Sequence, residues 1–293
     1  MNSNSPTGAN EPLIRNISDT ARWVAAYRAM ETERPDALFH DPYARRLAGE
    51  KGAEIAEAMP FQGKTMWPFT MRTYLIDEFI RGQIQKGTDM VINLAAGLDA
   101  RPYRMDLPSS LQWVEVDLPE ILAYKEQILV NEKPKCALER VRLDLSDRDA
   151  RKALFQQLGS RSKSALILSE GLLVYLTPEN VASLASDLAM PQSFRNWILD
   201  LASPGLLKML AKRKMGQELS KTGIPFKFAP PEGPEYFEKF GWKPVDVRSV
   251  FKAAAAHKRL PFFMRLFAFF PDTKESRIKR PWTGICLFEK QSV

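Results

Sequence analysis

Beyond Gly87 the chain alternates short apolar runs, rich in β-branched and aromatic residues, with stretches of helical length, and that alternation restricts the fold more than any other feature. Strands are predicted over residues 90–94, 112–116, 138–143, 165–169, 196–200, 244–250 and 284–289, with helices over 119–131, 147–158 and 178–189 between the early ones. Strands separated by helical lengths form βαβ units, so the expected fold is α/β with a mostly parallel sheet covered on both faces. In such sheets ligands sit beyond the carboxyl ends of the strands, where the strand order reverses. The residues that follow each strand are therefore the ones to read for chemistry.

The first ninety residues are mostly helical in pattern. Residues 1–11 are polar and rich in Asn, Ser and Gly, the composition of a mobile tail. Asp19 is placed to cap a helix that carries Ala21, Val24, Ala25 and Arg28 at helical intervals. Further helical pieces are predicted over 41–48, 53–58 and 70–86, the last with Tyr74, Phe79 and Ile80 inward and Gly87 as its stop. The expected organisation is a tail at 1–11, a helical cap at 12–87 and an α/β domain at 88–293.

Composition excludes several chemistries. Of 293 residues, 45% are hydrophobic and 26% charged, the balance of a globular chain able to bury a sizeable core. Cys136 and Cys286 are the two cysteines, His40 and His257 the two histidines. A disulfide scaffold, a zinc ribbon or a multi-histidine metal centre needs more ligands than these, and so few cysteines fit a reducing cytoplasm. The opening residues lack the basic start, apolar stretch and small-residue cleavage site of an export signal, which also points to the cytoplasm. The most apolar window, 260–271, is about half the ~20 residues of a membrane-spanning helix. The net charge of +7 is uneven: residues 1–200 carry 24 basic and 27 acidic groups, residues 201–293 carry 18 and 8.

After the first predicted strand, small residues at 95–97 let backbone approach a ligand, and Gly97 can take dihedrals that a side chain forbids. The loop is not a GxGxxG fingerprint, and no GxxxxGK[ST] loop occurs, which disfavours a pyrophosphate and leaves a nucleoside without phosphates. The second strand runs into Asp117, 20 residues after Gly97, where an acid accepts hydrogen bonds from two ribose hydroxyls. Next, Asp144 can accept from an exocyclic amine while Leu145 packs on a base. After the fourth strand come Glu170, Gly171 and the aromatic Tyr175. Asp99, Asp117, Asp144 and Glu170 thus fall on one sheet edge, a set suited to a cationic ligand rich in hydroxyl and amino donors. Each acid also has a plain alternative as a helix cap, as do Asp117 before Pro119 and Asp147 before its helix. Four after successive strands favour the ligand.

With these motifs the chain resembles the leucine carboxyl methyltransferase-like family of S-adenosylmethionine-dependent O-methyltransferases, which includes protein phosphatase and polyketide carboxyl methyltransferases. The matching segments are Arg34-Pro35 to Phe39-His40-Asp41-Pro42, Arg72, NLAAGLDARPYR at 93–104, VEVDLPEILAYKE at 114–126 and SEGLLVYLTP at 169–178, about half the chain in the family's order. Ala95 departs from the pattern, standing where the family has the first glycine of a GxG. The resemblance implies a class I methyltransferase, Rossmann-like fold: a mostly parallel seven-stranded sheet with helices on both faces, an N-terminal helical extension and a C-terminal lid insertion, its elements near 204–240 and 255–275. It implies that Ala95, Gly97 and Asp99 form the loop against the methionine part of S-adenosyl-L-methionine, and that Asp117 and Leu118 hold the ribose. Asp144 and Leu145 would hold adenine, with Glu170 and Gly171 near the cofactor amino group. Arg72 would pair with the methionyl carboxylate, Arg28 would match a basic residue of the N-terminal helices, and Tyr175 falls near the transfer site.

The expected reaction is in-line transfer of a methyl group to an oxygen, leaving S-adenosyl-L-homocysteine. Its main demand is placement, because the cofactor carries its own leaving group. A carboxylate, with a pKa near ~4, is already ionised at neutral pH, whereas a phenol near ~10 wants a base. The two histidines stand in unpromising places, His40 as a helix-packing residue and His257 in a basic loop, which favours a carboxylate on a small or polyketide-like, anionic or aromatic acid. Tyr175 and Arg72 are the positioning candidates at the reacting centre. Trp67, Phe69, Tyr175, Phe262 and Phe263, with Phe61, are expected to shape the acceptor pocket, the segment 260–270 serving as its lid or as core, a reading favoured over a membrane-surface helix. Lys212-Arg213-Lys214 reads as a solvated helix face, and the basic last third favours an anionic acceptor. The competing readings are a phenol or hydroxyl O-methyltransferase of secondary metabolism, a non-catalytic basic RNA-binding protein on the same fold, and a nicotinamide dehydrogenase. The acidic strand ends argue against nucleic acid, and the missing pyrophosphate loop against the dehydrogenase. Acceptor identity and oligomeric state stay open.

Overall fold

Period-two patterning places the strands. In β1 (Met90–Leu94), Met90, Ile92 and Leu94 face one hydrophobic core and Val91 faces a second. In β4 (Ala165–Ser169) the division is the same, with Ala165 and Ile167 against Leu166 and Leu168. The computed structural model describes residues 17–59, 66–213, 225–271 and 280–291, with single positions at 216, 220, 273, 275 and 278. Its other strands are β2 (Gln112–Asp117), β3 (Ala137–Arg142), β5 (Phe194–Ala202), β6 (Trp242–Ser249) and β7 (Thr283–Lys290). They form one seven-stranded sheet in the order β3-β2-β1-β4-β5-β7-β6, parallel except for β7, which runs antiparallel to both neighbours. The strand order reverses between β1 and β4, so their carboxyl ends open a crevice.

Helices cover both faces. On one, α6 (Arg148–Arg161) and α7 (Pro178–Ala189) pack through Leu154, Phe155, Leu158, Val181, Leu184 and Leu188. On the other, α3 (Trp67–Gln85) packs through Met71, Leu75, Ile76, Phe79 and Ile80, beside the helix Val250–Ala256. Tyr74, expected inward, is half-buried and meets His257 edge-on at 4.6 Å between ring centroids. Asp147 caps α6, accepting from the Ala150 N–H at 3.1 Å, the plain alternative weighed for it. After the short helix α4 (Arg101–Arg104), helix α5 (Pro119–Ile128) ends three residues before its predicted stop.

A third core joins α1 (Ile17–Thr32) and α2 (Ala44–Ala58) to the loop after β1 through Trp23, Tyr27, Leu47, Leu98 and Tyr103. The two pieces predicted at 41–48 and 53–58 fall within 44–58 as two helical pieces divided at Gly49, whose φ of 60° breaks the helical geometry. Side-chain ion pairs tie the C-terminal third to this layer. Arg259 donates to Glu31 at 2.7 Å and to Asp36 at 2.9 Å. His40, expected to pack between helices, is instead exposed, because the neighbouring Asp41 carboxylate turns inward to Arg28. The predicted tail and Phe61 lie outside the described residues.

Candidate functional site

Beyond the carboxyl ends of β1, β2, β4 and β5 lies a cavity of about 980 Å³, at the upper end of the ~300–1,000 Å³ typical of small-molecule sites. One end is polar and formed by the loops after the strands. The turn after β1 carries two left-handed residues, Ala95 (φ 52°) and Gly97 (φ 49°). The Gly97 N–H donates to Asp117 Oδ2 at 2.6 Å, and the Leu118 N–H to Asp117 Oδ1 at 2.8 Å. Asp117 therefore clamps the glycine loop and does not cap α5, whose N-cap is Leu118. Burial raises its pKa, with the two N–H donors and Lys125 only partly offsetting that. Asp144 is exposed at the rim and accepts from the Ser146 N–H at 2.8 Å; the Leu145 side chain packs on the first core beside it.

Ala95 is strained by its conformation. A left-handed residue with a side chain costs about 1–2 kcal/mol, while glycine adds about 0.5–1 kcal/mol of unfolded-chain entropy. Ala95→Gly is expected to raise stability by up to about 1 kcal/mol, read as a higher thermal midpoint, with ligand affinity unchanged. A lower midpoint would show that the methyl group contributes packing that outweighs the strain.

Glu170, which the sequence places at this edge, is held by two arginines. Arg72 Nε donates to it at 2.9 Å and Arg101 Nη1 at 2.8 Å. Arg101 also donates to Asp77 and Asp99, both at 2.7 Å, and its side chain is only 2% exposed. Asp200, at the end of β5, accepts from the Gly171 N–H at 2.6 Å and lies 3.5 Å from Arg72 Nη1. Gly171 is left-handed (φ 65°), and a Cβ there would sit 3.4 Å from Arg72 Nη1. The crevice is thus not the uncompensated acidic edge that the sequence suggests. Desolvation opposes ionisation of Asp99 and Glu170, yet the facing arginines override it and hold both carboxyls below their ordinary pKa. For Asp200 desolvation wins over Arg72, and its pKa is raised. Arg101, Asp200 and Thr20 are the site residues that the sequence reading missed. Asp200 was open to discovery by the rule applied to the first four strands, extended to the fifth.

Arg28 lines the cavity but is committed within the protein, donating to Asp41 at 2.8 Å and to the Leu98 carbonyl at 2.6 Å. It supports the loop around Gly97 from behind. The opposite end of the cavity is apolar. Trp67 and Phe69 of α3 line it, Phe69 tilted against Tyr27 with ring centroids 4.9 Å apart, together with Leu207 and Leu210 of α8 (Pro204–Ala211). Tyr175 sits where the two ends meet, on the turn Leu173–Tyr175, with its ring 5.6 Å from that of Phe226. Burial pushes its hydroxyl up to about 12, only partly countered by Arg72. Phe262 and Phe263 do not line the cavity: they project outward, and Met264, Phe267 and Phe270 form that wall instead. Successive short turns at 262–265 and 266–269 place the side chains three residues apart, which the sequence run alone did not resolve. Lys212 and Arg213 are exposed, Arg213 at the cavity rim, and Lys214 lies outside the described residues.

Comparison with known proteins identifies the fold and family of this arrangement. The family model for leucine carboxyl methyltransferase matches residues 21–189. The chain belongs to the leucine carboxyl methyltransferase family. A Mycobacteroides abscessus protein, provisionally named an S-adenosyl-L-methionine-dependent methyltransferase, is 33% identical over 58% of this chain and 58% of its own length. A Rhodococcus jostii protein with the same provisional name is 35% identical over 58% of this chain and 60% of its own. The matched region thus spans about three fifths of these relatives. Among solved structures, a DUF574 family protein from Streptomyces avermitilis superposes with a TM-score of 0.62 at 12% identity, covering 92% of this chain and 97% of its own. A Thermobifida fusca protein, provisionally titled a methyltransferase, gives 0.58 at 15% identity, covering 98% and 100%. The sheet is that of class I methyltransferases, and the cofactor of the family is S-adenosyl-L-methionine.

The polar end fits that cofactor. A buried carboxylate, Asp117, faces the cavity beside backbone that only small residues allow to come close. Thr20 Oγ1, buried among the lining residues, has no hydrogen-bond partner among the described residues, so a ligand can supply one. Arg72 spends Nε on Glu170 and Nη1 on Asp200, and its Nη2 has no hydrogen-bond partner among the described residues. No helix among the described residues is long and apolar enough to cross a membrane, and no group of acids, cysteines and histidines there could hold a metal ion.

Proposed function

We propose that this protein is an S-adenosylmethionine-dependent O-methyltransferase that esterifies the carboxylate of a small acid with a large apolar body. The observation that carries this reading is that the buried acids of the polar end are each held by partners within the protein, which leaves none of them free to take a proton from a phenol. Neither histidine lines the cavity, and the Tyr175 hydroxyl, raised to about 12, stays protonated at neutral pH. Asp99 and Glu170 are committed to Arg101 and Arg72, Asp117 to the Gly97 and Leu118 N–H groups, and Asp200 to the Gly171 N–H and Arg72. Such a site suits an acceptor that arrives ionised.

When bound, S-adenosyl-L-methionine supplies an electrophilic methyl group together with its leaving group. The chain's own residues bind and orient. Asp117 accepts from ribose hydroxyls while its other contacts hold the Gly97 loop in place. Asp144 and Leu145 receive adenine at the rim, and Arg72 takes the methionyl carboxylate while Glu170 and Asp200 fix its guanidinium. Tyr175, as a protonated donor, steadies the acceptor oxygen, and the walls built by Trp67, Phe69, Leu207 and Met264 exclude water. Orientation of this kind can supply about 7–11 kcal/mol of a bimolecular barrier. Arg213 and Arg280 at the rim favour entry of an anion.

Labelled cofactor offered to apolar carboxylic acids and to phenols tests the choice. Base-labile methyl incorporation into the acids is expected. Base-stable incorporation confined to the phenols would replace the carboxylate by a hydroxyl acceptor.

A further inference from the structure

The segment 261–271 (PFFMRLFAFFP) exposes most of its large apolar side chains, and some of them also line the cavity. Met264, Phe267 and Phe270 reach the cavity wall. Phe262, Phe263, Leu266, Phe267, Phe269 and Phe270 are 80%, 67%, 63%, 62%, 85% and 55% exposed. Elsewhere among the described residues, exposed large apolar side chains stand singly, as Val130 and Met190 do. A contiguous aromatic patch of this kind marks an interaction surface.

Three features specify what it meets. Its root is fixed: Leu260 is buried, and Arg259 is ion-paired to Glu31 and Asp36, so the patch projects from a rigid base. Its backbone closes bonds locally, with the Met264 N–H donating to Pro261 O at 3.0 Å and the Phe270 N–H to Phe267 O at 3.4 Å, which lowers the cost of entering an apolar medium. Its surroundings are basic: Lys258 is exposed and joined to Arg265 through a 3.2 Å bond to its carbonyl, and Arg280 is exposed at the cavity rim. The last third as a whole carries 18 basic and 8 acidic residues. Two copies meeting through this patch would bring like charges together, whereas an anionic surface is complementary.

We infer that the segment 261–271 docks the protein on an anionic lipid surface, with Phe262, Phe263, Leu266 and Phe269 entering the interface and the neighbouring cations meeting the headgroups. Apolar insertion and a basic flank are the two signals that together give reversible membrane-surface binding. The inference stands apart from the methyl-transfer reading, since binding is read without turnover.

Flotation of the full chain with phosphatidylcholine vesicles, with and without phosphatidylglycerol, tests it. The protein is expected to float with the anionic vesicles, less so at high salt as the charge term is screened. Phe262→Ser/Phe269→Ser is expected to weaken this by about tenfold or more, while an unchanged shift in thermal midpoint on adding cofactor shows that the fold is intact. Absence of flotation with anionic vesicles, or flotation indifferent to the double substitution, overturns the inference. So does a dimer in ultracentrifugation that the double substitution dissociates without any vesicle binding, which would assign the patch to self-association.

Discussion

Replacing Asp117 by Ala is expected to weaken binding of S-adenosylmethionine and of its demethylated product more than a hundredfold while leaving the fold stable. Hydrogen bonds to a charged acceptor contribute about 1.5–3 kcal/mol each, so removing an acceptor shared by two ribose hydroxyls costs a factor on the order of 10²–10⁴. The same carboxylate orders the glycine loop through the Gly97 N–H. Burial works against its ionisation, as its raised pKa records, so the folded state gives up little when it is removed. The pH dependence follows in sign. Because the folded pKa lies above the ordinary 3.8, affinity is expected to decline on acidification from a higher pH than for an exposed aspartate. Asp117→Asn should remove that dependence. Calorimetry on the three proteins checks both points, and unaltered affinity in Asp117→Ala would remove Asp117 from the binding site.

The second large effect is expected at Arg101, and it is structural. Arg101 faces Asp77, Asp99 and Glu170 in an almost solvent-free position, and Arg104 supplies Asp77 with a second partner at 2.6 Å. Arg101→Met leaves three acids with one charge partner fewer and no water to replace it. Breaking a buried pair from one side costs about 3–5 kcal/mol, which lowers a urea midpoint by about 1–2 M. The folded pKa values of Asp77, Asp99 and Glu170 lie below their ordinary 3.8, 3.8 and 4.5. Their contribution to stability is therefore complete above those ordinary values and is lost as pH falls through the lowered ones. The stability gap between the wild type and Arg101→Met should accordingly narrow below about pH 4. Equal stability of the two proteins at neutral pH would mean that the cluster contributes nothing net. Arg101→Lys should recover only part of the loss, because one ammonium cannot span three carboxylates as the guanidinium fork does.

Much of the fold was legible because strand and helix periods differ. The period-two runs at 90–94 and 165–169 are buried on both faces and coincide with β1 and β4, and the helix over 178–189 coincides with α7. The strand pairing with β7 was less visible. The predicted strand at 196–200 extends to Phe194–Ala202, because pairing with β7 continues through Leu201 and Ala202 beyond the apolar run. In the cap, the two predicted helical pieces are present, and the structure places the break between them at Gly49.

The sequence alone determined the α/β class, the crevice at the strand ends and the place of Gly97, Asp117, Asp144 and Glu170 along it. Those conclusions follow from local periodicity and from the rule that residues after parallel strands share an edge. Tertiary structure decided what each group does there. It set Arg101 and Arg72 against Glu170, turned Arg28 toward Asp41 and Leu98, and gave the cavity wall to Met264, Phe267 and Phe270 while Phe262 and Phe263 faced outward. Charge pairing and burial join residues far apart in the chain, such as Arg72 with Glu170 and Arg259 with Glu31. Spacing within a sequence carries no record of those distances, and they exist only once the sheet and its helices have closed.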